Sequence, residues 1–177
     1  MISTLTYRPA KFKDWKLTFK FKKEVLKSYV EKIWGWDEKK QRNLHEENFN
    51  PEKTKIIQLE NKDIGYLIVR DSDLEIYIEN LILGLKYQNN GLGTKLMISI
   101  IQKSEIEKKS VRLKVLKENK RAKKFYEHLG FEEISESEYY YELKKTDCKN
   151  KNNVIIVSNQ RIVLADSHSF KRDVGRS

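Results

Sequence analysis

A strand-like apolar run, a glycine-bearing turn and a helical pattern follow one another in LILGLKYQNNGLGTKL at 81–96. This order restricts the chain to folds in which a sheet strand feeds directly into a helix. A helix N-terminus exposes backbone N–H groups, and its dipole favours negative charge. Gly91 and Gly93 carry no side chain that would block a phosphate. The segment therefore predicts a site for an anion such as a diphosphate; the alternative is an ordinary strand-to-helix turn.

Two common phosphate-binding loops are excluded by spacing. A dinucleotide-binding fingerprint requires a third glycine three residues after Gly93, where Leu96 stands. A P-loop requires Gly-Lys-Ser/Thr, whereas the order here is Gly93-Thr94-Lys95. If the segment binds an anion, it does so in a fold other than the dinucleotide-binding and P-loop folds.

The hydrophobic periodicity along the chain predicts an α/β domain with a mixed sheet. Asp14 can cap the first helix, and Asn119 and Gly130 can begin and end the last one. The predicted order is a strand at 4–8, helices at 15–33 and 37–48, strands at 55–59, 64–69 and from 74, a helix from 91 to about 107, a strand at 111–115, a helix from 119, and strands at 131–134 and 139–144.

Composition narrows the class of protein. The 177 residues suit a single domain, and the formal net charge of +10 attracts polyanions without choosing among them. The lysines are spread along the chain, so nucleic acid is a minority interpretation. The apolar runs are too short for a membrane helix, the N-terminus lacks a signal-peptide pattern, and Cys148 is the single cysteine, which together predict a cytoplasmic protein. His45, His128 and His168 have no metal-ligand spacing.

A second motif lies about twenty-five residues after the first. QNNGLG at 88–93 resembles the Q/R-x-x-G-x-G/A motif of GNAT acyltransferases, and ENKRAKKFYEHLGF at 118–131 is similar to the family's N-x-x-A-x-x-[FL]-Y-x-x-x-G-F pattern. The resemblance covers residues 4–145. It implies a mixed, mostly antiparallel central sheet, splayed between its fourth and fifth strands and flanked by about four helices. On this basis residues 1–145 form the domain, and 146–177 are a polar linker and tail with a short hairpin.

By this resemblance the protein is an N-acetyltransferase that moves an acetyl group from acetyl-CoA to a primary amine in one ternary complex, without a metal. Tyr126 would then stabilise the departing thiolate by a hydrogen bond, and Lys123 or Lys124 would reach the 3′-phosphate or remain solvated. The implied cofactor-binding residues are Leu81, Ile82, Leu83, Gln88, Asn89, Asn90, Gly91, Leu92, Gly93, Thr94, Asn119, Ala122, Phe125 and Tyr126.

The amine must lose a proton before it attacks, and Glu79 is the candidate base. In a regular strand Glu79 shares its face with Tyr77, Leu81 and Leu83. Some relatives use a glutamate on the following strand, but Lys114 stands at that position. A water chain, with Glu79 as a solvated carboxylate, is the alternative.

The acceptor pocket implied by the resemblance draws on the first two helices and the last strands. Trp34, Trp36, Glu38 and His45 are the candidate lining residues, together with the tyrosines at 139–141. Aromatic rings and carboxylates suit a cationic amine on a small molecule or peptide, although the tryptophans could equally be core residues. Two rival functions stay open: a CoA-binding module without turnover, and an RNA-directed acyltransferase acting on charged tRNA. A homodimer also stays open.

Overall fold

The structure is a computed structural model that describes residues 4–146. One seven-stranded sheet carries four helices, and the elements follow the predicted order. The strands are β1 (Leu5–Pro9), β2 (Thr54–Leu59), β3 (Lys62–Asp71), β4 (Glu75–Leu83), β5 (Ser110–Leu116), β6 (Glu132–Glu136) and β7 (Tyr140–Lys145). The helices are α1 (Trp15–Trp34), α2 (Glu38–Glu47), α3 (Leu92–Ile106) and α4 (Lys120–His128). The predicted tail and hairpin lie outside the described residues.

The sheet has the strand order β1-β2-β3-β4-β5-β7-β6. Every neighbouring pair is antiparallel except β4 and β5, which are parallel. Strands β2, β3 and β4 form a meander, whereas the parallel neighbour β5 is reached through the crossover helix α3, as parallel pairs require. The predicted mixed, mostly antiparallel architecture is confirmed.

Each face of the sheet is covered by different helices. On one face, α3 and α4 bury a large apolar cluster that includes Leu96, Met97 and Leu113. On the other face, Phe21 of α1 packs with Tyr66 and Ile82 in a smaller cluster. Helix α2 has no buried residue and lies outside α1. The sheet is therefore the middle layer, and we call its two sides the α3/α4 face and the α1 face.

The predicted role of Asp14 is only partly correct. It occupies the N-cap position of α1, but its side chain makes no capping hydrogen bond to that helix. Its carboxylate instead accepts hydrogen bonds from the Arg8 guanidinium at 2.7 Å and from the Lys11 backbone N–H at 2.8 Å. These bonds, led by the one from Arg8, hold the pKa of Asp14 below its usual value. The carboxylate thus joins β1 to the start of α1.

A β-bulge interrupts the regular alternation of β4. Ile68 pairs with Asn80 and Val69 pairs with Ile78, so Glu79 is the extra residue on β4. Ile78 belongs to the cluster on the α3/α4 face, and so do residues 81 and 83 beyond the bulge. The prediction that Glu79 and Tyr77 share a face with Leu81 and Leu83 is therefore wrong, because the bulge shifts the alternation by one residue.

Candidate functional site

The sheet opens between β4 and β5. Their parallel pairing begins at Glu75 with Ser110 and stops at Ile78 with Leu113. Strand β4 nevertheless continues to Leu83, and β5 continues beyond the pairing to its own end. The facing backbones of the two strand ends therefore diverge and leave hydrogen-bonding groups without a ladder partner, which is the predicted splay.

The hydrogen-bond pattern with β3 fixes which groups of β4 point into this opening. The Gly84 N–H donates to the Ile64 carbonyl at 2.9 Å. In an antiparallel pair, bonded and non-bonded positions alternate. Leu83 and Leu81 are therefore at non-bonded positions, and their N–H and C=O groups face the opening. Ile82 differs from them, because it pairs with Tyr66 on β3 and its side chain lies in the cluster on the α1 face.

The turn after β4 leads directly into α3. Gln88 holds it at one end, since its side-chain amide donates to the Leu83 carbonyl at 2.8 Å and its N–H donates to the Leu85 carbonyl at 3.1 Å. Asn89 and Gly91 have φ angles of 64° and 72°, in the left-handed region. An ideal Cβ at Gly91 would meet no atom within 4 Å, so the glycine is needed for its backbone angle.

The first amides of α3 have no partner among the residues that the structure describes. The first bond of the helix runs from the Lys95 N–H to the Gly91 carbonyl at 3.0 Å. Within residues 4–146, no hydrogen bond uses the backbone N–H of Asn89, Asn90, Gly91, Leu92, Gly93 or Thr94. Six amides at the positive end of a helix dipole thus remain available for an anion.

Helix α4 borders this turn. The Asn119 side chain accepts a hydrogen bond from the Ala122 N–H at 3.0 Å, which confirms the predicted cap. An ideal Cβ at Gly93 would lie 3.6 Å from the Phe125 ring, an ordinary contact. The Phe125 and Tyr126 ring centroids are 5.2 Å apart. The predicted residues of α4 and the glycine turn are therefore brought together beside the opening.

Tyr126 is packed between Phe125 and Phe131, with ring centroids 5.2 and 5.6 Å away. Burial of its hydroxyl raises the pKa of Tyr126 to about 12. The hydroxyl has no hydrogen-bond partner among the described residues, and it is not sealed from solvent. It is therefore a protonated donor, available to a ligand in the opening.

Arg121 is a basic residue beside the turn that the sequence analysis did not select. Its guanidinium donates a hydrogen bond to the Asn89 side-chain oxygen. Lys123, by contrast, pairs with Glu127 at 3.1 Å and Glu133 at 3.0 Å, which directs it away from the turn. The predicted cap at residue 119 could have identified Arg121, because it places residue 121 in the first turn of α4, next to the glycine turn.

Glu79 lies on the α1 face in a charged cluster. Its carboxylate forms an ion pair with Arg70 at 2.5 Å. The Tyr77 ring lies under two guanidinium groups, those of Arg70 at 4.7 Å and Arg112 at 5.2 Å from its centroid. The candidate base is therefore at the opening but is already paired with a cation.

Of the four candidate lining residues, Trp34 lies apart from the other three, which are grouped around Phe19. Trp34 packs against Tyr139, with ring centroids 4.8 Å apart, beside the end of β5. Trp36 donates a hydrogen bond to Glu38 at 2.8 Å, and its ring stacks on Phe19 with centroids 6.5 Å apart, so both residues lie against the first half of α1. His45 contacts the Thr18 hydroxyl at 2.9 Å, near the start of α1 and roughly 24 Å along the helix from Trp34.

His45 is a packed, neutral residue. Burial, followed by the charge of Lys22, lowers the pKa of His45 to about 4. Its ring also packs against Phe19, with centroids 5.5 Å apart. These contacts give His45 a structural role at the α1–α2 contact.

No helix among residues 4–146 is long and apolar enough to cross a membrane. The same residues contain no group of three or more His, Cys, Asp or Glu side chains placed to hold a metal ion.

Comparisons with solved structures identify the fold. PaiA N-acetyltransferase from Thermoplasma acidophilum, in complex with coenzyme A, matches with a TM-score of 0.65 and 16% identity over 81% of this chain and 99% of its own. An acetyltransferase from Thermus thermophilus matches at 0.62 and 18% over 82% and 98%. Arabidopsis thaliana Naa50, in complex with the bisubstrate analogue CoA-Ac-MVNAL, matches at 0.57 and 17% over 81% and 99%. No curated protein matches in sequence.

At these identities the structural matches establish the fold alone. The model of the acetyltransferase (GNAT) family, however, matches residues 19–131, which is more than half of the chain. Together with the opened sheet and the free amides of the glycine turn, this match shows that the chain belongs to the acetyltransferase (GNAT) family.

Proposed function

We propose that this protein transfers an acetyl group from acetyl-CoA to a primary amine in a single ternary complex. The observation that carries the proposal is the row of free amides from Asn89 to Thr94, which adjoins the opening between β4 and β5. Amides in such a row, at a helix N-terminus, suit the diphosphate of a nucleotide thioester. The fold is shared with enzymes that were solved with coenzyme A or a CoA bisubstrate analogue.

The opening fits the remainder of the acyl donor. The outward N–H groups of Leu81 and Leu83 and the outward C=O of Leu81 would pair with the amide groups of the pantetheine arm, as an added strand would, whereas the Leu83 C=O already accepts from Gln88. An N–H of this strand would also hold the carbonyl oxygen on which negative charge develops, and such fixed donors lower the barrier. Arg121 lies near enough to the turn to contact a nucleotide phosphate.

Glu79 is the proposed base, directly or through water. An alkylammonium of pKa near 10 gives one proton to the carboxylate, and the neutral nitrogen then attacks the carbonyl carbon. The C–N bond forms, the C–S bond breaks, and the second amine proton leaves to solvent. To accept a proton, Glu79 must first be released from its ion pair with Arg70.

Tyr126 assists the leaving thiolate mainly as a hydrogen-bond donor. A thiol has a pKa near 8.5, whereas burial raises the pKa of Tyr126 to about 12. Complete proton transfer from phenol to thiolate would therefore be uphill by roughly 5 kcal/mol. A charge-assisted hydrogen bond stabilises the thiolate without that cost, and the thiolate takes its proton from solvent as it departs.

The test is thiol release by the full-length protein from acetyl-CoA in the presence of a library of primary amines. Turnover with at least one amine, a large loss in Tyr126→Phe and little change in Tyr7→Phe would support the proposal. Tyr7 is a suitable control because it lies on β1, at the far edge of the sheet. If coenzyme A binds, no amine is consumed and both variants behave like the wild type, the protein is a binding module instead.

A further inference from the structure

The residues that flank the opening on the α1 face carry an unusual set of charges. Pairing between β4 and β5 ends at Ile78 and Leu113, so Glu79 and Lys114 are the next residues on either side. Leu113 is buried on the α3/α4 face, so the adjacent Lys114 points to the α1 face. Lys114 is exposed and has no ion-pair partner among residues 4–146.

The three carboxylates of the neighbouring strands are balanced in number by three cations, Arg70, Arg112 and Lys114. Glu79 pairs with Arg70 at 2.5 Å. Arg112 pairs with both Glu75 and Glu142 at 2.9 Å. These three acids are all the carboxylates that β4 and β7 contain, and β5 contains none. Because Glu75 and Glu142 share Arg112, and Lys114 lies opposite Glu142 in the register of β5 and β7, these described strands offer an added cation no carboxylate of its own.

This arrangement has a consequence for the amine that can bind. A simple cationic amine that approaches Glu79 must displace Arg70, and it adds a fourth positive charge to a group that holds three carboxylates. Arg70 and Lys114 are both exposed, so water hydrates the displaced guanidinium, and the main cost is repulsion between the ammonium and these two cations. An amine with its own carboxylate removes the problem, because that carboxylate can take the place of Glu79 beside the two cations.

We propose that the acceptor is a compact zwitterion, a free amino acid, whose ammonium binds Glu79 and whose carboxylate binds Arg70 and Lys114. The inference rests on the proposed acetyltransferase function. Compactness follows from the contact between Arg70 and Glu79, since the groups that replace this contact must themselves be close together in the acceptor. The Tyr77 ring, in contact with the Arg70 guanidinium, forms the adjacent wall.

The release of Glu79 then becomes part of acceptor binding. When the acceptor carboxylate takes over Arg70, Glu79 becomes free to receive a proton from the ammonium group beside it. The same event positions the amine and prepares its base. An acceptor without the carboxylate leaves Glu79 in its ion pair, so it should bind weakly and react slowly.

The experiment compares three matched forms of each acceptor with the full-length protein and acetyl-CoA. For aliphatic and aromatic cases, these are the free amino acid, its methyl ester and the amine that lacks the carboxylate group. We expect kcat/KM to be at least about tenfold higher for one or more free amino acids than for their matched ester and amine. Peptides with a free N-terminus form a fourth arm, in which the carboxylate is distant from the amine.

Two variants test the assigned cations. Arg70→Gln and Lys114→Gln should each raise KM for the free amino acid about tenfold, with a smaller change in kcat, and leave the ester within about twofold. Lys55→Gln, an exposed lysine on β2, is the matched control and should change neither. Thermal unfolding of each variant confirms that it is folded.

The outcomes separate the two proposals. Preference for esters, carboxylate-free amines or peptides, or equal effects of the two variants on acids and esters, would overturn the zwitterion inference while acetyl transfer stands. If coenzyme A binds but no amine of any class is acetylated, the proposed function itself fails and the inference fails with it.

Discussion

Replacing Gly91 with alanine should weaken both the fold and coenzyme A binding, by amounts that can be worked from the structure. Gly91 has φ 72°, and an ideal Cβ would meet nothing within 4 Å. The cost is therefore conformational, about 1–2 kcal/mol for an L-residue in the left-handed region. In a chain of this size the melting temperature should fall by about 2–8 °C.

The binding effect should be at least as large. Alanine relieves its strain by moving toward negative φ, which turns the peptide group between residues 91 and 92 and misdirects one amide. A hydrogen bond to a charged group is worth about 1.5–3 kcal/mol, so the dissociation constant for coenzyme A should rise roughly 10- to 150-fold. Titration calorimetry measures this change, and urea unfolding measures the loss of stability.

Gly93→Ala is the matched control. Gly93 lies within α3 with no positive φ, and an ideal Cβ would be 3.6 Å from Phe125 and 4.0 Å from Leu83. We expect the free energy of unfolding to stay the same or rise by about 0.5–1 kcal/mol, and coenzyme A affinity to stay within about threefold. If Gly93→Ala loses binding as Gly91→Ala does, or if Gly91→Ala binds normally although destabilised, the reasoning about the turn is refuted.

Three further predictions concern separate parts of the molecule. Tyr126→Phe should lower kcat for amine acetylation about 100-fold and leave the dissociation constant for coenzyme A within about twofold; an unchanged kcat would contradict its role. The pKa of His45 is lowered from 6.5 to about 4, so only the unfolded state binds its proton between these values, and stability should fall by about 1–2 kcal/mol as pH drops from 6.5 to 4, since solvent screens this half-buried ring. Urea unfolding should show this slope, and His45→Gln should flatten it. Gly65→Ala places a Cβ 2.1 Å from the Ile82 carbonyl oxygen and should cost at least about 3 kcal/mol of unfolding free energy, whereas a loss below about 1 kcal/mol would show that β3 and β4 can separate there.

Structural features that depend on residues close together in the sequence could be predicted from the sequence. The strands and helices follow from their hydrophobic period, and Asn119 caps α4 as expected because an N-cap bonds to amides within its own turn. Gly130 adopts φ 83°, as expected for the residue after a helix. The sequence also marked the glycine turn, and the structure adds a second reason for Gly91, its backbone angle in the left-handed region.

Structural features that depend on contacts between residues far apart in the sequence could not be predicted. Asp14 is of a residue type that commonly caps helices, but its carboxylate accepts hydrogen bonds from Arg8 on β1 and from the Lys11 amide instead. His45 and Trp34 are close in sequence to the same helix junction, yet α2 runs back along α1, so that Lys23 pairs with Glu38 and Thr18 meets His45. Only the packing of the two helices reveals that His45 lies at the start of α1 and Trp34 at its end.

The bulge at Glu79 explains how one strand can serve two sides of the sheet. In a regular strand a carboxylate at position 79 and leucines at 81 and 83 would share a face, so the acceptor side would be crowded by core residues. The extra residue returns Leu81 and Leu83 to the core on the α3/α4 face and leaves Glu79 beside Arg70 on the α1 face. In the proposed function, the outward backbone groups of β4 hold the acyl donor while its side chains hold the acceptor on the α1 face. Deleting one residue so that β3 and β4 pair regularly would therefore displace both the proposed base and the backbone groups that align the acyl donor. A single side-chain substitution cannot change both.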